Sequence, residues 1–470
     1  MNHRSVIFAL VLLAGCARFH PQPILPGENA ARLNARTLDN AQLRAFLEKN
    51  LNRPFDSWPP RSWDFETLTL VAFYYHPSLD VARAQWQVAQ GGEITASALP
   101  NPTLTATPGY DFNYSGLSPW LPAVEFDIPV ETAGKRGYRK AQARHQAESA
   151  RLNIAAAAWQ VRANLHTCLI DLTAARARGE ILRRQISVQE KVNAALDQQL
   201  QAGAIAAFDV TQSRIALGKL QLDLADARQQ EADARVRVAD AVGLPARAVA
   251  DVDFAYDLSS RPPSANELTS DRVRDEALTN RADILSALAD YAASQAALQL
   301  EIAKQYPDIH LGPGYQFDHG EHTITLAISA ELPILDQNQG PIAEAAAHRA
   351  EMAARFNALQ AKVTTDIDRA TATYRVNTES VAMLDSLAAA QKSQSDAVAQ
   401  QFQAGASDQV DVLNSQLELA AGELAQLDAR VKLQESFAAL EDAVQRPIGA
   451  VNASVLQPSP RPQAMNQNQP

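Results

Sequence analysis

The chain has only two cysteines, Cys16 and Cys168, in 470 residues. A disulfide-stapled scaffold is excluded, because such folds need dense cysteine pairs. Four methionines, one of them the initiator, do not support a methionine relay for soft Cu(I). Aromatic residues make up 6%. Low aromatic content, with abundant Ala, Gln, Leu and Arg, favours long close-packed helices over a thick globular core. Positive charge is also short: 42 Lys plus Arg stand against 53 Asp plus Glu, a net charge of −11. That balance argues against nucleic acid as a partner. No stretch approaches the roughly 18 apolar residues of a membrane-spanning helix. Nucleophile-elbow, phosphate-loop and zinc-ligand spacings are missing, so no enzyme, cofactor or resident metal is expected.

What the chain does have is four segments of strict apolar–polar alternation. Leu104, Ala106, Pro108, Tyr110, Phe112 and Tyr114 alternate with Thr103, Thr105, Thr107, Asp111 and Asn113. Val124, Phe126, Ile128 and Val130 alternate with Glu125 and Asp127. Ile309, Leu311, Tyr315 and Phe317 alternate with His310, Gln316 and Asp318. Ile324, Leu326, Ile328, Leu332 and Ile334 alternate with Thr323, Thr325, Ser329 and Glu331. A period of two predicts strands with one apolar and one polar face. Each run is close to the ~9–11 residues that a tilted strand needs to cross a bilayer. Four strands cannot close alone, since the smallest common membrane barrels have about eight. An open sheet cannot sit in lipid with bare edges. One barrel built from several copies of the chain is the expected solution.

The chain is also a tandem duplication. Leu200-Gln201-Ala202-Gly203-Ala204 recurs as Phe402-Gln403-Ala404-Gly405-Ala406, Asp209-Val210 as Asp411-Val412, and Ser213 as Ser415. Pro108-Gly109-Tyr110 recurs as Pro313-Gly314-Tyr315, and His76-Pro77-Ser78-Leu79 aligns with Arg281-Ala282-Asp283-Ile284. The first repeat is set at 61–250, with strands about 103–114 and 123–130 and long helices about 134–200 and 206–241. The second is set at 251–450, with strands about 309–317 and 323–334 and long helices about 341–402 and 408–445. Shorter helices are expected at 63–98 and 268–305. Long helices of some 60–67 residues at ~1.5 Å each span about 90–100 Å. Leu413, Leu417, Ala420, Leu424, Leu427 and Val431 keep the spacing of a coiled-coil seam. Residues 451–470, rich in Pro, Gln and Asn, are expected to be disordered. Residues 16–60 are expected to wrap the surface irregularly.

The N-terminus reads as an export signal over 1–15: a basic Met1–Arg4 segment, then an apolar run from Val6 to Leu13. Leu13-Ala14-Gly15-Cys16 resembles the lipobox of bacterial lipoproteins, which implies lipidation at Cys16 and an outer-membrane anchor. Cys168 is then alone, and its Ala-rich helix marks it as a buried small hydrophobe.

Nearly the whole mature chain resembles the TolC family of outer-membrane efflux channels. The resemblance rests on the duplicated strand-strand-helix-turn-helix order, on Leu99-Pro100-Asn101-Pro102, and on the paired Gly-x5-Asp-Val elements at 203–210 and 405–412. Gly134-Lys135-Arg136 is similar to the heavy-metal, CzcC-like branch. The resemblance implies a mainly α fold with a small transmembrane β part. In it three protomers make a 12-stranded barrel continuous with a helical periplasmic tunnel. It also implies a periplasmic adaptor and an inner-membrane pump of the RND type as partners, and heavy-metal cations, or else organic compounds, as cargo. A lipid-anchored coiled-coil scaffold is the alternative of another class, but it gives the four strands no purpose.

By the same resemblance, Asp411 and Asp209 belong to the periplasmic gate, and Asn414 departs from the family pattern by standing where a second ring Asp is often found; Asp408, one turn before Asp411, either adds to the ring or caps the helix. One carboxylate per copy at a constriction attracts cations and repels anions. Carboxylates this close to a helix start also serve as caps. Gly203 and Gly405 are expected in the tight interhelical turns, with Gln201, Ala202, Gln403 and Ala404 as adaptor contacts. Glu125, Asp127 and Glu331 are expected to face the lumen. Tyr110, Phe112, Tyr114 and Trp120 suit an aromatic girdle. His319 and His322, at the tip of the second hairpin, are read as a solvated loop rather than a metal site.

Overall fold

The computed structural model describes residues 19–116, 118–260 and 271–447. The expected signal segment 1–15, Cys16 and the expected disordered tail 451–470 lie outside the described residues. In chain order the elements are α1 (Pro26–Asn34), α2 (Ala41–Leu51), β1 (Ser62–Asp64), α3 (Phe65–Tyr75), α4 (Pro77–Ser97), β2 (Thr103–Thr107), β3 (Ala123–Val130), α5 (Lys135–Gln201), α6 (Ala207–Val242) and β4 (Asp253–Ala255). The second repeat follows as α7 (Asp271–Asn280), α8 (Ala282–Ala303), β5 (Ile309–Asp318), β6 (Glu321–Ala330), α9 (Gln339–Gln403) and α10 (Gln409–Val444). Each repeat is two shorter helices, a β-hairpin and a long helical hairpin. The 67 residues of α5 and 65 of α9 make each about 100 Å long. Among the described residues no helix is long and apolar enough to cross a membrane.

The expected helices at 63–98 and 268–305 are each broken in two, at the aligned positions His76 and Arg281. Pro77 disfavours helical backbone at the residue before it, and His76 is extended at ψ 124. No proline acts on Arg281. Its guanidinium instead pairs with Asp283 at 2.7 Å and donates to the carbonyl of Ala443 at the end of α10. The break is set by tertiary contact, which a local reading cannot see.

The N-terminal segment is more ordered than expected. Asn40 caps α2, its side chain accepting from Gln42 and Leu43 N–H, and Leu43 and Leu47 are buried one turn apart. β1 pairs in parallel with β4, Trp63 beside Phe254. Arg36 donates to the carbonyls of Tyr75 (2.7 Å) and Gly243 (3.0 Å), tying together the ends of α3 and α6. These elements join Leu68, Leu79, Leu165, Leu169 and Val238 in one core.

The long helices pack side by side in the order α6–α5–α10–α9. Ile170 and Ile181 of α5 meet Ala420 and Leu427 of α10. A buried polar cluster joins the repeats there. Arg162 Nη2 lies 2.9 Å from Glu441 Oε2, with side chains only 6% and 4% exposed. The Arg162 guanidinium sits over the rings of Phe65 and Trp159. His166 stacks on Phe65 at 4.3 Å and lies 2.8 Å from the Tyr256 hydroxyl. That hydroxyl donates to Gln434 Oε1 at 3.3 Å. Burial, and then the charge of Arg162, keeps His166 neutral by lowering its pKa to about 3.

Candidate channel wall and aperture

The four strands form one antiparallel sheet in the order β2–β3–β5–β6, and among the described residues β2 and β6 are bare edges. Paired residues share a face. Ala106, Val124, Tyr315 and Ile324 make one apolar row. Ile128, Leu311 and Ile328 make another. Leu104 stands beside Phe126, and Pro313 beside Leu326. This face is solvent-open in the protomer, with Ile324 86% and Leu326 68% exposed. A bare apolar sheet face of this extent costs free energy in water and marks contact with an apolar medium.

The opposite face carries Thr103 beside Asp127, and the row Thr105, Glu125, Gly314 and Thr325. His310 Nδ1 lies 2.8 Å from Asp127 Oδ1. Glu125 and Asp127 therefore stand on the polar face, as the alternation requires. Glu331 does not stand in the ladder at all, because β6 ends at Ala330. The expected strand 323–334 runs too far, since Pro333 has no N–H to donate. Glu331 instead lines a recess at the base of the sheet with Lys135, Asp308 and His310.

The first expected strand, 103–114, is also too long. β2 stops at Thr107, before Pro108. Pairing beyond it survives only as separate contacts: Gly109 with Leu121, Asp111 N–H to Pro119 O, and a bridge between Tyr110 and Trp120. Tyr110 lies edge-on to both Phe112 and Trp120. In the opposite loop His319 pairs with Asp318 and lies 3.5 Å from Asp111. His322 Nδ1 is 2.7 Å from the Tyr315 hydroxyl. The two histidines have different partners, and among the described residues no group of three potential ligands could hold a metal.

The Gly134-Lys135-Arg136 motif fastens the hairpins to the helices. Lys135 Nζ reaches Asp308 at 2.8 Å, from the other repeat. Arg136 donates twice to the Ser97 carbonyl, at 2.6 and 2.9 Å, where α4 ends. Arg139 holds Glu131 at 2.6 Å and also donates to Ala96 O. Sequence reading found the motif but missed Asp308, Arg139 and Glu131, which carry no spacing signal.

At the far end of the long hairpins the two tips are near copies. Gly203 and Gly405 adopt φ of +71° and +72°, a conformation costly for any residue with a Cβ. Gly203 N–H bonds Leu200 O and Ala204 N–H bonds Gln199 O; Gly405 and Ala406 bond Phe402 and Gln401 in the same way. This pattern satisfies the last carbonyls of each helix. Gln201, Ala202, Gln403 and Ala404 are exposed beside it. Asp408 accepts from Asp411 N–H at 2.8 Å, and Asp411 accepts from Asp408 N–H at 3.2 Å. Asp209 accepts from Ala206 N–H at 3.3 Å. All three carboxylates cap helix starts and remain exposed, as does Asn414 one turn on. The recurring serines lie inside the hairpins. Ser213 meets Gln189 Nε2 at 2.7 Å, and Ser395 meets Ser415 at 3.1 Å.

Known proteins resemble this chain. The cobalt-zinc-cadmium resistance protein CzcC of Cupriavidus metallidurans is 25% identical over 266 residues, covering 56% of this chain and 61% of that protein. The pyoverdine export outer membrane protein OpmQ of Pseudomonas aeruginosa is 25% identical over 333 residues, 66% of each chain. This chain thus spans less than two thirds of either relative. The outer membrane protein VceC of Vibrio cholerae superposes with a TM-score of 0.67 at 18% identity, over 82% of this chain and 97% of that one. That likeness establishes the protomer fold expected from the sequence. The profile of the outer membrane efflux protein family matches residues 73–244 and 273–444, one window per repeat. The chain belongs to the outer membrane efflux protein family.

Proposed function

We propose that three copies of this chain form the outer-membrane channel of a tripartite efflux system that passes heavy-metal cations out of the periplasm. The observation that carries this reading is the sheet. Its apolar face is bare, its polar face bears carboxylates, and among the described residues its two edges lack partners. Three such sheets give a closed barrel of 12 strands, well within the size range of membrane barrels. Below it, helices about 100 Å long extend the wall as a periplasmic tunnel. The exposed tips at Gln201–Gly203 and Gln403–Gly405 are the docking points for a periplasmic adaptor, which links the channel to an inner-membrane pump of the RND type. The similarity to CzcC and the carboxylates Glu125 and Asp127 favour cation cargo. The similarity to OpmQ supports a second reading, export of organic compounds.

Deleting the gene tests both. The metal reading expects selective sensitivity to Zn, Co or Cd with raised cell-associated metal. Sensitivity to dyes and antibiotics alone would move the cargo to organic compounds. Cys16 carries the lipid in this reading. The mature chain then begins at Cys16 with added acyl mass, and an unmodified N-terminus by intact mass spectrometry would remove the anchor.

Asp411 sets the charge of the aperture. Asn at 411 can still accept from Asp408 N–H, so the turn survives while three charges leave the ring. In planar bilayers Asp411→Asn lowers the cation-over-anion permeability ratio, read from the reversal potential. An unchanged ratio would take Asp411 out of the aperture and leave it as a cap.

A further inference from the structure

The helix order α6–α5–α10–α9 parallels the strand order β2–β3–β5–β6. In both layers the first repeat supplies one flank and the second repeat the other. The open flanks of the helical wall are therefore α6 and α9. Each carries exposed apolar residues at heptad spacing, a line that Gln229 interrupts on α6. On α6, Phe208, Ile215, Leu222 and Val236 are 67%, 56%, 68% and 53% exposed. On α9, Val376, Met383 and Leu387 are 60%, 71% and 48% exposed, and Ala390 and Ala397 continue the line. Apolar seams with this period bury themselves in a partner helix.

We propose that α6 of one copy packs against α9 of the next as an antiparallel coiled-coil seam with Leu222 opposite Met383. This rests on the trimeric channel proposed above and adds its contact and register. The directions fit, because α6 leads away from its tip and α9 leads towards its own. The register fits by size. With Leu222 opposite Met383, Phe208 meets Ala397, Ile215 meets Ala390, and Gly218 meets Leu387. In those three layers a large residue faces a small one, which lets two helices interdigitate, while Leu222 meets Met383 and Val376 meets Gln229 at the end of the apolar line. The same register sets the tips Gly203 and Gly405 within about one helical turn (~5.4 Å) of a common height. It also brings Arg228 within two residues (~3 Å of rise) of the level of Glu379. Both are exposed, and neither forms an ion pair among the described residues. A second copy completes each seam as it completes each sheet edge.

The test is disulfide cross-linking of the full-length chain in a Cys168→Ser background. Oxidation of the Leu222→Cys/Met383→Cys double variant yields a covalent trimer. Leu222→Cys/Val376→Cys, two turns out of register, yields at least about tenfold less, because bridged Cα atoms must lie within ~7 Å. Arg228→Glu lowers the yield about two- to fivefold, and adding Glu379→Arg restores it. Light scattering of the unoxidised protein in detergent separates the two levels. A trimer that cross-links at 222/376, or at neither pair, overturns the seam and leaves the assembly standing. A monomer overturns the assembly and the seam together.

Discussion

Glu441→Leu, with Arg162 left in place, destabilises the folded protein by about 3–5 kcal/mol, the cost of stranding one member of a buried ion pair. Arg162 and Glu441 lie 2.9 Å apart with under a tenth of either side chain in contact with solvent. The rings of Phe65 and Trp159 cover the guanidinium, so no water replaces the lost carboxylate. The matched double variant Arg162→Met/Glu441→Leu recovers most of the loss, because neither charge then needs desolvating. For contrast, Arg178 and Asp428 also join α5 to α10, but their side chains are 41% and 47% exposed. Arg178→Ala costs about 0–1 kcal/mol. Urea midpoints of the three variants check this. Equal losses for Glu441→Leu and Arg178→Ala would show that the buried pair is not what fastens the repeats.

That cluster was invisible in the sequence. Arg162 and Glu441 belong to different repeats, and a lone Arg or Glu on a long helix reads as a solvated side chain. The strands were legible because one face is apolar and the other polar, which writes itself as a period of two. Their ends were not, because Leu332 and Ile334 continue the alternation past Pro333 while the hydrogen bonds stop. Helix lengths and tips were legible from periodicity and from Gly203 and Gly405, whose left-handed backbone favours glycine. The break at Arg281 was not, since the contacts that hold it come from α10. At the tips, Asp209, Asp408 and Asp411 fit both a ring and a cap. The observed caps are compatible with either, since hydrogen bonding to backbone N–H leaves the carboxylate charge in place.

Leu326→Arg stops the barrel from assembling, whereas Thr325→Arg, one residue away, leaves it intact. Leu326 is near the middle of β6, flanked on its face by Ile324 and Ile328, all three more than two-thirds exposed in the protomer. If that face meets lipid, an arginine near mid-depth costs about 2–4 kcal/mol per chain. Three copies multiply the penalty in one assembly. Thr325 points the other way, where Gly314 beside it has no side chain and Glu125 stands next in the row. An arginine there has water and a carboxylate within reach. The amount of trimer in the outer-membrane fraction reads the difference. Equal damage from both substitutions would mean that the two faces meet similar surroundings, and the sheet could not then be the wall of a membrane channel.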